Sequence, residues 1–258
     1  MRRRRIKYFE NIKSLEKDIH FITYGDAKYH NAKKRLSNQS KLFYNFKSIN
    51  LYGPKDIDSC FYEQHKDILS QPRGGGYWVW KPYFIQKKLQ QIEEGDYLIY
   101  LDAGCSINSK GFDRFKEYIE MLDNSKTPII SFQMSHLLEK WYTNDKIFEY
   151  FNTKPETDIG NTGQISATVL IIKKCQYTML LFNNMMSIVE KDPYLFTDKY
   201  NNLTTRKNFK DNRHDQSILS ITRKIYGSII LEDETYFENP GFGGEKSLKY
   251  PFWATRKR

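Results

Sequence analysis

The residues best suited to chemistry fall in four short segments. The first, RGGGYWVWKP (Arg73–Pro82), has three consecutive glycines whose backbone N–H groups can approach an anion closely. The helix that follows adds the positive end of its dipole, and Arg73 and Lys81 supply charge, a combination suited to cradling a diphosphate. The GK[ST] ending of a Walker A loop is absent. The same residues also read as a flexible turn with Trp78 and Trp80 packed in the core. The second segment, YLDAGCSIN (Tyr100–Asn108), carries Asp102 at the end of an apolar run. A carboxylate placed there is costly unless it is paired or meets a cation, so Asp102 is a site candidate, with a helix cap or turn as its structural alternative.

The third segment, GNTGQISATVLIIKK (Gly160–Lys174), is a Gly- and Asn-rich loop leading into a strand, with Gln164 at the junction. It suits backbone contacts to a sugar. The fourth, RHDQSILS (Arg213–Ser220), sets His214, Asp215 and Gln216 at a helix start. Their side chains can reach a hydroxyl-rich ligand there, or Asp215 can simply cap the helix.

Periodicity supplies the elements that must position these groups. Asp18–Gly25 and the run ending at Pro54 read as strands, and Ile85, Leu89 and Ile92 mark a helix from Pro82 to Glu94, with Gly95 as its stop. Tyr97–Gly104 is short, almost wholly apolar, and reads as a buried central strand. Phe112, Phe115, Ile119 and Leu122 mark a helix; Thr127–Gln133 and Ile165–Lys174 read as strands; Leu180, Leu181, Met185, Ile188 and Val189 mark another helix. Asp198–Asn212 is polar, without period, and expected to be a mobile loop. A helix over His214–Ile225 and a strand over Ser228–Phe237 precede a glycine-rich, basic tail. Strands alternating with helices predict an α/β fold with a mostly parallel central sheet flanked by helices. Open sheets of this kind bind ligands where strands end and helices begin, which is where the four segments lie.

Composition narrows the class. No run of about 18 apolar residues marks a membrane span, and MRRRRIKYFE lacks the apolar stretch of a secretory signal, so a cytoplasmic location is expected. Three cysteines without CxxC spacing argue against a disulfide framework and a zinc site. Lys and Arg number 41 against 31 Asp and Glu, a net charge of +10 that favours an anionic partner. The run Arg2–Arg5 suits a peripheral contact with an anionic membrane, or is a solvated tail. Residues 1–17 are accordingly set apart as a basic segment before a single domain at 18–258.

In their order along the chain, the segments resemble GT-A (Rossmann-like) glycosyltransferases, in particular glycogenin-like and lipopolysaccharide galactosyltransferase-like enzymes. KPYFIQKKLQQIEEGDYLIYLDAG (Lys81–Gly104) is similar to their helix and DxD strand, QISATVLIIKK to the strand behind the acceptor site, HDQSILS to the Asp-Gln helix, and GGEKSLKYPFW (Gly243–Trp253) to a terminal loop folded over the diphosphate. The resemblance implies transfer of a sugar from a nucleotide-diphosphate sugar, a UDP-sugar in particular, to a hydroxyl of a glycan or lipid-linked acceptor, with retained configuration. Asp215 acting as a general base would instead serve an inverting enzyme. On this reading Thr23 and Tyr24 lie near the base, Arg73, Lys81, Asp102, Gly104 and His214 near the rest of the donor, and Gln164, Asp215 and Gln216 near sugar and acceptor.

The resemblance also implies a divalent cation, Mn2+ or Mg2+, on Asp102. Two departures bear on it: the second DxD position is Gly104, and no histidine follows His214. Phosphate oxygens would have to complete the ion's shell; without an ion, Arg73, Lys81, Lys246, Lys249 and Arg256 would have to neutralise the leaving diphosphate. A sugar-nucleotide nucleotidyltransferase would show a glycine-rich basic signature after the first strand, where TYGDAKYHNAKK has one glycine. A nucleic-acid-binding module would suit the charge and the 16% aromatic content, but the aromatics fall in predicted core elements and no such motif is present, so no nucleic-acid partner is expected.

Overall fold

Alternating apolar side chains of the central strands feed two separate hydrophobic layers, and that division builds the domain. In β1 (Ile19–Tyr24) all six residues are buried, because helices cover both faces of the sheet. His20 is tolerated there by bonding Ser48 and Asp96. The computed structural model describes residues 17–238 and 242–258, so the arginine run at Arg2–Arg5 lies outside the described residues. After β1 come α1 (His30–Phe43), β2 (Ser48–Tyr52), α2 (Ser59–Leu69), α3 (Trp80–Gln91), β3 (Tyr97–Leu101), β4 (Ser106–Ile107) and α4 (Phe112–Asp123). Then follow β5 (Ile129–Leu138), β6 (Gly163–Ile165), β7 (Val169–Lys173), α5 (Gln176–Lys191), α6 (Asp215–Tyr226), β8 (Ile229–Glu232) and β9 (Phe252–Trp253), with short helical turns between.

The seven-stranded sheet runs β2-β1-β3-β7-β5-β6, with β8 also paired to β5. β1, β2, β3, β5 and β8 point one way and β6 and β7 the other, giving the mostly parallel α/β sheet that the periodicity predicts. Leu98 and Tyr100 of β3 and Leu170 and Ile172 of β7 face one layer with Phe84, Leu89, Leu181, Phe182 and Leu219 from α3, α5 and α6. Tyr97, Ile99 and Leu101, with Val169 and Ile171, face the other layer with Leu36, Phe43, Phe115 and Ile119 from α1 and α4.

Three expectations change. Ile165–Lys174 is two strands, because β6 pairs with the far part of β5 while β7 pairs with β3 and the near part. Side chains capture the carbonyls between them: Arg223 takes those of Ile165 and Ser166, and Lys81 takes that of Ala167. Ser228–Phe237 shortens to β8, since Asp233 turns the chain by accepting from the N–H and hydroxyl of Thr235. Asp198–Asn212, expected to be mobile, is pinned by Arg73 on Asp198 and Asp211, Asn201 on Asp211, and Arg206 on Asp145.

The chain returns past β8 to lay β9 antiparallel on β4, which places residues 254–258 beside the end of β3. Phe252 anchors that return at 1% exposure, its ring 5.7 Å from Phe43 and 5.8 Å from Phe115. Phe252→Ala should therefore cost about 3–5 kcal/mol. Urea unfolding measures the total, and hydrogen exchange faster at Asn108, whose N–H donates to Pro251, than in β3 would show the return detaching first.

Candidate active site

Lys81 is the second residue of α3 and is only 2% exposed, so its ammonium must be neutralised inside the protein. Its Nζ lies 2.5 Å from Asp215 Oδ2 and 3.2 Å from Asp102 Oδ1, and donates to the Ala167 carbonyl at 3.1 Å. Burial alone would pull the lysine pKa down, but the two carboxylates outweigh it and hold it above the ordinary value. Burial pushes the Asp215 carboxyl up; Lys81 opposes that, and the neighbouring Asp102 adds to it. The buried Tyr100 hydroxyl donates to Asp102 Oδ1 at 2.5 Å and, held well above its usual pKa by burial and Asp102, stays protonated to do so.

The glycine-rich segment forms a left-handed turn rather than a helix: Gly74, Gly75, Gly76, Tyr77 and Trp78 all have positive φ. Glycine meets that demand freely, and at Gly76 a Cβ would also stand 2.7 Å from Leu69 Cα. Tyr77 and Trp78 adopt it at a cost of about 1–3 kcal/mol each, held by contacts. Trp80 donates to the Gly74 carbonyl and stacks on Tyr24 at 3.7 Å, while Trp78 stacks on His214 at 5.2 Å. His214 is itself at φ 56 and is bound through Nε2 to Asp198 at 2.9 Å.

These elements border a cleft of about 740 Å³. Of the residues singled out from the sequence, Tyr24, Trp78, Trp80, Asp102, Gly104, Gln216 and Arg256 line it. Lys81 and Asp215 lie buried beneath Asp102, His214 supports Trp78, and Arg73 is turned away onto Asp198 and Asp211. Thr23 is fully buried with an unpaired hydroxyl, one residue short of the cleft. Gln164, also fully buried, accepts from Gln216 Nε2 at 2.7 Å and donates to Glu139, so its part is to aim Gln216. Gly163 beside it is needed for close strand approach, since a Cβ would stand 2.2 Å from the Met134 carbonyl oxygen.

Sequence reasoning missed several contributors. Glu139, at 0% exposure, binds Thr143, Gln164, Ser220 and Lys224 beneath the site. Arg223 shapes the Ser166–Thr168 turn, two residues of which line the cleft. The signal in the sequence was a lone arginine on the apolar side of an amphipathic helix. Arg213 and Arg258 also line the cleft, the first placed by the HDQ helix it precedes and the second by the terminal return.

No family model and no curated protein matches the chain. Among solved structures it is similar to the apo WbbM bifunctional glycosyltransferase, with a TM-score of 0.51 and 11% identity over 94% of this chain and 46% of that one. This chain has a GT-A fold. It spans about half of the WbbM structure. Two further likenesses are a glycosyltransferase involved in glycosylation of the major capsid of PBCV-1 (TM-score 0.47, 11% identity, 92% of each chain) and the galactosyltransferase LgtC in complex with donor and acceptor sugar analogues (TM-score 0.44, 10% identity, 84% of this chain and 75% of that one).

GT-A glycosyltransferases often use a divalent metal. The residues here do not fit one well. Asp102 Oδ1 is already engaged by Lys81 and Tyr100. Gly104 offers no side chain, its carbonyl accepts from Thr255 Oγ1 and Lys257 N, and a Cβ would stand 3.2 Å from Arg256 Cα. Among the described residues no three His, Cys, Asp or Glu side chains come together as a metal site.

Lys81→Met leaves the buried Asp215 carboxylate without its counter-charge and next to Asp102, and should cost about 3–5 kcal/mol. The loss should grow with pH. Without Lys81 the main opposition to burial at Asp215 is gone, so the native state keeps a proton that the unfolded chain gives up near pH ~4, and stability falls as pH rises above that value. Melting temperatures of wild type and variant at pH 5 and pH 8 check this, and equal losses at the two pH values would disprove the role given to Lys81.

Proposed function

We propose that the cleft binds a nucleotide-diphosphate sugar, a UDP-sugar in particular, and transfers the sugar to a hydroxyl of a glycan or lipid-linked acceptor. The observation that carries this reading is the convergence of Asp102 and Gln216 on one cleft, from the end of β3 and the start of α6, through the shared buried Lys81. Open α/β sheets bind ligands at such strand ends, and this one has a GT-A fold. The rim supports the donor assignment: Tyr24 stacks on Trp80, and Gly74 and Gly75 bring backbone to the same wall, suited to a base and its phosphates.

In the reaction, the bond between the anomeric carbon and the diphosphate oxygen breaks and its electron pair leaves with the nucleoside diphosphate. The acceptor oxygen bonds to the same carbon and gives up its proton. Asp102 and Gln216 present oxygen and amide groups, preoriented by Lys81, Tyr100 and Gln164, to the sugar as positive charge develops on it. Retention is the better-supported course. The carboxylate named as a general base, Asp215, is covered by Lys81 and does not line the cleft, and the neighbouring Gln216 is an amide that takes up no proton at neutral pH.

Among the described residues no helix is long and apolar enough to cross a membrane. A lipid-linked acceptor would then be met at a surface, with the basic segment before residue 18 as the contact proposed for it.

Gln216→Ala should lower turnover about 100-fold, the scale of removing one preoriented polar contact, with little change in donor affinity. Asp102→Asn should lose at least as much. Release of nucleoside diphosphate from a panel of UDP- and GDP-sugars measures both, with calorimetry for affinity. Wild-type turnover in Gln216→Ala would remove it from the sugar's side of the cleft.

A further inference from the structure

Four cationic side chains line the cleft, Lys28, Arg213, Arg256 and Arg258. The three arginines rest on tyrosines: Arg213 at 3.8 Å from the Tyr142 ring, Arg256 at 5.8 Å from Tyr236 and Arg258 at 5.6 Å from Tyr29. Elsewhere in the molecule Arg73, Arg114 and Arg206 are each paired with carboxylates. An aromatic partner holds a guanidinium in place while leaving its charge and its N–H fork available. The acids that border the cleft are mostly engaged: Asp26 accepts from the Lys28 N–H, Asp102 is held by Lys81 and Tyr100, and Asp233 is held by Thr235. Glu238 also lines the cleft.

Arg213 and Arg256 bear on the same space. Burial pulls the Arg213 pKa down, and the positive charge of Arg256 adds to that, a repulsion that an anion placed between them would relieve. The position of Arg256 is set by the terminal return, in which the Thr255 hydroxyl and the Lys257 N–H both donate to the Gly104 carbonyl. The backbone of a cationic residue therefore packs against the position that the resemblance gives to a second metal-binding acid, and its guanidinium lines the same cleft.

We infer that Arg213 and Arg256 clamp the donor diphosphate and supply the charge neutralisation that a divalent cation gives in related folds, so that a nucleoside diphosphate binds here without metal. The inference rests on the donor reading above. Of the cations first suggested by the sequence for this task, Arg256 lines the cleft, whereas Arg73 and Lys81 are held by Asp198 and Asp211 and by Asp102 and Asp215; Arg213 was not among them. A guanidinium matches phosphate oxygens two at a time, so a pair of them can hold a diphosphate by geometry as well as charge.

Calorimetric titration of UDP, GDP, uridine, guanosine and inorganic pyrophosphate into the full chain tests this, run in EDTA and again with Mn2+, for wild type, Arg213→Gln and Arg256→Gln. The expected result is nucleoside diphosphate binding that persists in EDTA and weakens about 10- to 100-fold in each variant, with nucleoside binding and thermal unfolding unchanged. Arg256→Lys should recover part of the loss. Binding that appears only with Mn2+, or variants that bind as wild type does, overturns the clamp. If no nucleoside diphosphate binds under either condition, the donor reading fails. Pyrophosphate then judges the arginine pair alone: binding in EDTA that both variants weaken upholds an anion site, and no binding overturns it.

Discussion

A lysine ammonium enclosed in the domain is the constraint on which the site depends. Placing such a charge away from water costs several kcal/mol unless counter-charge and acceptors surround it. Lys81 finds them in Asp102, Asp215 and the Ala167 carbonyl. Those partners belong to the end of β3, the start of α6 and the turn between β6 and β7, while Lys81 itself begins α3. One side chain thus fixes the relative placement of four segments that are far apart in sequence. Asp102 and Gln216 reach the cleft with their directions already set, which is what electrostatic catalysis requires of its groups.

A second buried layer keeps that arrangement in register. Arg223 holds the carbonyls of Ile165 and Ser166, and Glu139 gathers Thr143, Gln164, Ser220 and Lys224. These groups are fully or largely buried, and each charge in the layer has partners, as a polar network in a core must. The backbone carries the remaining cost. The left-handed run from Gly74 to Trp78 and the positive φ of His214 are conformations that side chains disfavour, and both lie on the rim of the cleft or next to the residue that enters it. Stacking of Trp78 on His214 and of Trp80 on Tyr24 holds them there.

Charge is divided between two tasks. The two cations of the first sequence segment, Arg73 and Lys81, are used inside the structure, one to pin the Asp198–Asp211 segment and the other to join the elements under the cleft. Those facing the cleft are Lys28 after β1, Arg213 before α6, and Arg256 and Arg258 of the terminal return. The net charge of +10 is thus a poor guide to which positive groups meet a ligand, because partnering decides availability more than number does.

The sequence by itself determined the layered α/β domain, since continuous apolar runs such as Tyr97–Leu101 make sense only as strands covered on both faces, and helical spacing marks α3, α4, α5 and α6. It also located the candidate site by segment, as Asp102 and Gln216 lie at the strand and helix ends where open sheets put their ligands. What it left undecided was which member of each segment faces the cleft. Lys81 and Asp215 are as polar as Asp102 and Gln216, yet the tertiary structure turns the first two inward onto each other and the latter two outward. The antiparallel course of β7, the break at Ser166–Thr168 and the packing of the C-terminal return on Gly104 were likewise invisible along the chain. Each rests on contacts between residues remote in sequence, and only the folded chain brings those together.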